Sequence, residues 1–407
     1  MKKYSTLLSL YLAQSIPMSF FSTIVPVIMR QENYSLESIG YLQLLKLPWI
    51  LKLLWAPMID KHGQTLGKYK RWIVGSELFY AAIILGTGFL DLKTDFMAIV
   101  VMMLVAFTAS ATQDIATDAF AILVLKKNER SFGNSMQSAG TFLGTLTGSG
   151  VMLVIYHHFG WNGLLLCLSL FVVVALVPLY FFDTKKTEMP PADISRHTPA
   201  SFKDIGLFFV QKGMWKRLIL LFFYYSGLIG TLAMLKPFFV DHGYNIRQIG
   251  TISGIYGTAV GALSALAAGH LINKLGRRFC MYLFSFMGFV TMMLFVWMGL
   301  TDVTNTLLYA GTFMLWGTYG LCSVLIYTIS MDVVRKGREG TDFTIQIVVT
   351  HLSSLVIAVL SGKFADTFGY QGLFIAEAAI AAMVFMFIPL LYNEIRPKDE
   401  SSQELAR

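Results

Sequence analysis

Charge is what this sequence has least of: only 14% of its 407 residues are Asp, Glu, Lys or Arg, against about 25% in an ordinary soluble domain. That shortage excludes a solvated globular surface over most of the chain. Cysteine is scarcer still. Cys167, Cys280 and Cys322 are odd in number and sit in apolar runs, which excludes a disulfide framework or thiolate metal site and leaves small buried hydrophobes. No G-x-S-x-G elbow, Walker A loop, G-x-G-x-x-G turn or H-E-x-x-H pair occurs, so the common signatures of hydrolases, nucleotide-driven pumps, dinucleotide enzymes and zinc peptidases are missing. His157 and His158 are adjacent, and neighbouring side chains diverge on a helix, so no metal site and no cofactor are expected. Without an ATP site, work must come from a gradient or from the solute's own concentration difference. Alternating stretches of about ten residues, the mark of a membrane β-barrel, do not dominate.

What fills the chain is apolar: 55% of the residues are hydrophobic. Twelve candidate spans fall at 5–29, 37–59, 72–92, 96–124, 131–156, 162–182, 216–240, 247–272, 279–300, 304–331, 342–363 and 370–392, each long enough for a membrane helix. The expected fold class is an all-α membrane protein of twelve transmembrane helices. The net charge of +8 reports topology rather than a polyanionic partner. With Lys2 and Lys3 inside, 25 of the 32 basic residues fall on the cytoplasmic side, Arg30, Lys93, Arg247 and Lys363 outside, and Lys46, Lys52 and Lys236 within spans. This follows the positive-inside rule. Both termini are therefore expected in the cytoplasm, with the chain a multi-pass monomer of the inner membrane whose partners are the lipid bilayer and a small-molecule substrate, not nucleic acid. The apolar run after Lys2 and Lys3 is about 25 residues long and lacks a small-x-small cleavage site, so it reads as an uncleaved first span.

The longest polar stretch, DTKKTEMPPADISRHTPASFKDIG from Asp183, divides the spans six and six. The expected organisation is an N-terminal six-helix bundle (1–182), a cytoplasmic linker (183–215), a C-terminal six-helix bundle (216–393) and a cytoplasmic tail (394–407). The halves echo each other. YSLESIGYLQ from Tyr34 matches YNIRQIGTIS from Tyr244, and HFGWNGLLL from His158 matches TFGYQGLFI from Thr367. Two matches in register imply internal duplication and hence pseudo-symmetric bundles. The loop GHLINKLGRR, Gly269 to Arg278, resembles the G-x-L-a-D-r-x-G-r-[KR] loop of the major facilitator superfamily, with Asn273 where that family has Asp. The first-half loop keeps Asp60 but departs in spacing. Gly269, Gly276, Arg277, Arg278 and Asp60 are thus candidates for a cytoplasmic gating loop, the glycines for a tight turn and the basic residues for capping helix ends.

Polar residues inside the spans carry the functional signal. Asp114 and Asp118 in SATQDIATDAFA stand four apart on one helix face, and Asp118 is about 12 Å from the cytoplasmic end of its span. A charge at that depth costs about 2.5–3.5 kcal/mol on insertion scales. Two carboxylates cannot both ionise cheaply there, so one should take a proton or meet a cation. Lys52 lies at a matching depth in span two and Lys46 deeper, although a lysine can also snorkel. Pro48 and Pro57 favour kinks and freed carbonyls in that span. Substrate-binding candidates are Gln14, Gln43, Gln113, Gln137, Gln346, Tyr224, Trp316 and Tyr319, with helix bridging or packing as the alternative for each. His351 could carry a proton but reads first as a satisfied interior histidine, and Glu77 reads as an interfacial residue near the start of span three.

LPWILKLLWAPMID followed by SATQDIATDAFA resembles the group of the major facilitator superfamily that holds muropeptide permeases, siderophore importers and acetyl-CoA transporters. In that group a Lys-x-Leu-Trp-[Ala/Ser]-Pro-x-x-Asp stretch, here Lys52 to Asp60, ends the second span. A Ser-Ala-Thr-Gln-Asp stretch, here Ser110 to Asp114, occupies the fourth. The resemblance implies alternating access around a midplane site between two bundles. It also implies proton-coupled import of a mid-sized organic solute, with Leu-Pro-Trp and Ile-Ala-Thr-Asp pointing to the siderophore branch. The alternative is a muropeptide or another peptide-like or drug-like solute. Asp114, Asp118, Lys52 and Lys46 would form the coupling site. A membrane-embedded transferase is the distant rival and would need a large polar loop near the aspartates; a channel would need rings of charge. The reading is therefore a transporter and not an enzyme.

Overall fold

The computed structural model describes residues 2–31, 42–92, 94–184, 198–301 and 303–392. They are almost wholly helical, with no strand among the described residues. Eight helical stretches are long and apolar enough to cross a membrane. Two of them, Arg130–Tyr180 and Glu339–Leu391, are each a pair of crossings joined at a sharp bend. Adding Leu66–Thr87 and the broken segment 42–63 gives twelve crossings among the described residues. We number them as helix 1 (Lys2–Ile24, extended by Val25–Gln31), helix 2 (42–63), helix 3 (Leu66–Thr87) and helix 4 (Phe96–Val124). Helices 5 and 6 lie either side of Gly160, followed by helix 7 (Met214–Asp241) and helix 8 (Arg247–Leu275). Helix 9 (Arg277–Met298), helix 10 (Asn305–Met331), and helices 11 and 12 either side of Gly369 complete the set.

The two bends show the duplication in the backbone itself. Gly160 (φ 66°, ψ −169°) and Gly369 (φ 70°, ψ 177°) occupy the same place in HFGWNG and TFGYQG. Only glycine adopts that region readily. The glycine three residues on is matched too: a Cβ on Gly163 or Gly372 would approach the Cβ of Phe159 or Phe368 to 2.6 or 2.5 Å. The other repeat is seen on one side only, because Tyr34 to Tyr41 lie outside the described residues, whereas YNIRQIGTIS opens helix 8.

Close helix contacts shape the interior. Gly140, Gly144 and Gly148 face helix 1, and a Cβ would come within 2.4 Å of Ser15 Cβ at Gly144 and 2.3 Å of the Ile16 carbonyl at Gly148. Backbones this close rely on small residues, as membrane helix pairs commonly do. Gly269, expected to serve a turn, instead lets helix 8 lie against helix 5: its Cβ would meet Ser135 Oγ at 2.2 Å and the Ser131 carbonyl at 2.9 Å. The turn itself is made by Gly276 (φ 85°). A buried cluster containing Leu7, Tyr11, Ile122 and Met136 with Met331, Phe343 and Ile347 joins the halves at the end of the molecule where Lys2 and Lys3 lie; we call this the basic end.

One expectation needs correction here. Helix 3 begins at Leu66, six residues before the expected span, because Thr65 caps it by accepting the Lys68 N–H and the long Lys and Arg stems run along the helix. Glu77 is therefore fully buried, about 16 Å into helix 3, not interfacial. Within the stretch expected as linker, Lys203–Val210 is helical. Asp204 in it pairs with Arg338 at 3.0 Å and Arg335 at 3.6 Å. Burial pushes this carboxyl up, but the Ser201 N–H, Arg338 and Arg335 outweigh that and hold it below the ordinary carboxylate value.

Alanine at Gly369 should cost about 1–3 kcal/mol of stability, the range for an L-residue held in a glycine-only region. Gly160→Ala should cost a similar amount, and the two should add because the bends lie in separate halves. Thermal unfolding of the purified variants checks both.

Candidate functional site

Helix 4 is unbroken from Phe96 to Val124, so Asp114 and Asp118 stand one turn apart on a common face. Both are buried. Helix 2 is the opposite case. It runs as Leu42–Lys46, Leu47–Leu51, Lys52–Leu54 and Ala56–Gly63, alternating 3₁₀ and α turns. Pro48 and Pro57 sit in the first turn of the two α pieces, where a missing N–H is harmless. Lys52 opens the 3₁₀ piece between them and is fully buried, its ammonium paired with Asp114 Oδ2. Trp55, at the end of the same break, donates its indole N–H to Thr112 Oγ1 at 3.1 Å.

Asp118 has neutral partners instead. Its Oδ1 accepts from Tyr11 Oη of helix 1 at 2.5 Å and from Gln137 Nε2 of helix 5 at 3.4 Å. Asp114 and Lys52 both act on it electrostatically. His351 of helix 11 is within the same electrostatic reach of Lys52 and Asp114, and Tyr327 of helix 10 of both aspartates. The carboxylates thus lie in the first half and are faced by groups of the second. His351 is half-buried, and its ring makes no hydrogen bond among the described residues. Tyr11 and Tyr327 carried no sequence signal, since a tyrosine in an apolar helix reads as packing.

Other candidates separate cleanly. Gln113 is buried with both amide atoms unpartnered, and Gln14 has an unpartnered Nε2. Lys46 is exposed and makes no ion pair among the described residues; the side chain of Gln43 lies outside what the structure describes. Gln346 is saturated: it accepts from Arg217 Nε at 2.8 Å and donates to the Ser330 and Asp342 carbonyls, each at 3.1 Å. Tyr224 donates to the Met281 carbonyl at 2.9 Å inside the second half. Trp316 and Tyr319 set their rings edge-on to Phe142 of helix 5, at 6.1 and 5.9 Å between centroids, packing the halves together.

At the basic end the halves are tied by charge. Asp60 is buried at the foot of helix 2 and accepts from the Gly340 and Thr341 N–H groups at 2.9 and 2.7 Å, from Thr341 Oγ1 at 2.6 Å and from Tyr69 Oη at 2.7 Å. It therefore sits on the N-terminus of helix 11, where backbone N–H groups and the helix dipole favour an anion. A second tie uses Asp332, which pairs with Arg130 at 3.0 Å and with Arg277; Arg277 also donates to the Lys127 carbonyl at 2.7 Å. Arg278 is exposed, and so is Asn273, so the loop after helix 8 contributes Arg277 and no counterpart of Asp60. Ser138 and Ser323 are joined at 3.2 Å at about the depth of the aspartates. The basic end is closed by these contacts.

The family model described as Major Facilitator Superfamily matches residues 7–354. The chain belongs to the major facilitator superfamily. It is a multi-pass membrane transporter of the secondary type, not an enzyme, and the fold comparisons agree. A bacterial homologue of the iron transporter ferroportin, crystallised in an outward-facing state, superposes with a TM-score of 0.74 at 16% identity, covering 96% of this chain and 99% of its own. The proton:xylose symporter XylE bound to 6-bromo-6-deoxy-D-glucose gives 0.73 at 9% identity, covering 95% of each chain. At such identities the likeness establishes the fold of the superfamily and nothing about iron or sugar. Among curated sequences, the anhydromuropeptide permease of Escherichia coli (strain K12) is 22% identical over 388 residues, 94% of this chain and 78% of its own.

Removing one partner of the buried pair strands the other charge. Lys52→Met or Asp114→Asn alone should destabilise this superfamily member by about 3–5 kcal/mol, and the double variant should recover most of the loss; a thermal-unfolding cycle in detergent measures the coupling. Asp60→Ala leaves two buried N–H groups without an acceptor, at about 1–3 kcal/mol each. It should open the basic end, read as at least tenfold faster maleimide labelling of a cysteine placed at Ser138.

Proposed function

We propose that this transporter imports anhydromuropeptides, or closely similar peptide-bearing sugars, across the inner membrane in symport with protons. The observation that carries the coupling is the buried set Lys52, Asp114 and Asp118: one carboxylate pairs with the cation, and the other accepts hydrogen bonds from Tyr11 and Gln137. The substrate class is supported by the anhydromuropeptide permease aligned along 94% of the chain. It therefore takes precedence over the siderophore reading, for which the only support is the short Leu-Pro-Trp and Ile-Ala-Thr-Asp stretches. The excess of Lys and Arg at one end supports placing that end in the cytoplasm, so the closed arrangement opens outward.

In this mechanism Asp118 takes the transported proton while the cavity faces out. Lys52 is then shared between Asp114 and the incoming solute, whose peptide carboxylate draws on the ammonium. The charge on the set stays balanced when proton and solute are both present, and the bundles can rock. Asp60 leaves the helix 11 terminus, the Asp332 ties part, and the basic end opens. Release of solute restores the Lys52–Asp114 pair, and loss of the proton from Asp118 on the less acidic side resets the cycle. His351 and Tyr327 face this set from the second half and sense which arrangement is occupied.

Proteoliposomes test the reading. Labelled anhydromuropeptide should accumulate only when the outside is acidified, and Asp118→Asn should retain counterflow exchange while losing gradient-driven accumulation. Uptake that ignores the pH gradient while Asp114→Asn stays fully active would remove the coupling proposal. Uptake of a ferric siderophore, with none of the muropeptide, would reverse the substrate assignment.

A further inference from the structure

Away from the transport site, helices 2, 3 and 4 enclose a lateral groove of about 840 Å³. Its mouth, at the basic end, is formed by Lys61, His62, Lys68 and Arg71. Its walls are largely apolar, with Trp72, Phe79, Val105 and Ala109. Phe79 and Val105 are 50% and 42% exposed, and on a chain of twelve membrane crossings that exposure faces hydrocarbon. Gly75 also lines the groove, and a Cβ built on it meets no atom within 4 Å. The groove is therefore open to an occupant beside Gly75.

Charge and dimension both point to one class of occupant. Lys61, Lys68 and Arg71 have no acidic partner among the described residues. The carboxylate next in sequence to Lys61, Asp60, is turned inward onto helix 11. Three cations with a histidine, at the level where a membrane surface meets water, form a receptor for an anionic headgroup. From Lys68 to Phe79 the helix rises about 16 Å, close to half of a hydrocarbon core of about 30 Å, so the apolar wall matches one acyl chain of one leaflet. We propose that this groove binds an anionic glycerophospholipid of the leaflet at the basic end, its phosphate among Lys61, Lys68 and Arg71 and an acyl chain along Trp72, Gly75 and Phe79.

The groove reaches the transport machinery at two points. Lys61 and His62 directly follow the latch residue Asp60. At the inner end Thr112, which also lines the groove, holds the Trp55 indole beside the Lys52 break. An occupant therefore packs against both the latch segment and the turn that delivers the buried lysine.

The test uses the full chain reconstituted in vesicles of phosphatidylcholine with a variable fraction of phosphatidylglycerol, one of the two lipids carrying brominated acyl chains. Bromine quenches tryptophan on contact, and Trp72 lines the groove. Brominated phosphatidylglycerol should quench severalfold more per mole than brominated phosphatidylcholine, and Trp72→Phe should abolish that difference. Lys61→Gln, Lys68→Gln and Arg71→Gln together should bring the two lipids to parity without changing the thermal midpoint. Gly75→Leu, which grows into open space, should exclude the chain and lower quenching by both lipids. Equal quenching by the two lipids in the unmodified protein, or a preference that survives the triple variant, overturns the proposal.

Discussion

A lysine and two aspartates inside an apolar helical bundle persist only where their charges are cancelled or their lone pairs engaged, and the rest of the site follows from that constraint. Lys52 has to reach Asp114 from a neighbouring helix, and helix 2 gives up regular α geometry around it to do so. Asp118, without the cation, draws on Tyr11 and Gln137 and so ties helices 1 and 5 to helix 4. A single ion pair and two neutral donors thus fix the relative placement of four helices. Breaking such a pair is costly while replacing it wholesale with apolar groups often is not. The fold alone therefore does not require an ion pair at this place, and the proposed coupling gives it a use.

The duplication is visible in position and broken in chemistry. At the offset of the HFGWNG and TFGYQG bends, Asp114 corresponds to Ser323, Asp118 to Tyr327 and Gln137 to Gln346. The first half holds titratable carboxyls; the second presents hydroxyls at those places. Gln137 serves Asp118, whereas Gln346 is consumed by Arg217 and two carbonyls. The ties at the basic end differ in the same way. Asp60 caps helix 11 across the bundle interface, but its counterpart Asn273 is exposed, and the second tie is rebuilt from Arg130, Arg277 and Asp332. Two homologous halves therefore share a frame and divide the labour.

Much of the frame was legible in the sequence because it rests on local rules. Apolar runs of membrane length announce helices. Aspartate in such a run has few uses, so Asp114 and Asp118 stood out, and Lys52 followed by depth. Glu77 was misplaced because Lys70 and Arg71 look like a membrane boundary, while the cap at Thr65 starts the helix earlier. Asp60 stands in a recognisable loop pattern, but its partner lies 280 residues away and no periodicity encodes that. Tyr11 and Tyr327 were hidden because an aromatic residue in a bilayer helix has a packing explanation that usually suffices.

The glycines at 140, 144 and 148 leave helices 1 and 5 with almost no side-chain padding between them. Such a seam has little compliance: neither helix can roll or separate without opening a void that nothing nearby fills. These two helices, with Asp118 clasped between them, therefore travel as one stiff plate. In the proposed rocking cycle the bending falls on helix 2, already divided into short pieces, and that is where Lys52 of the pair is mounted.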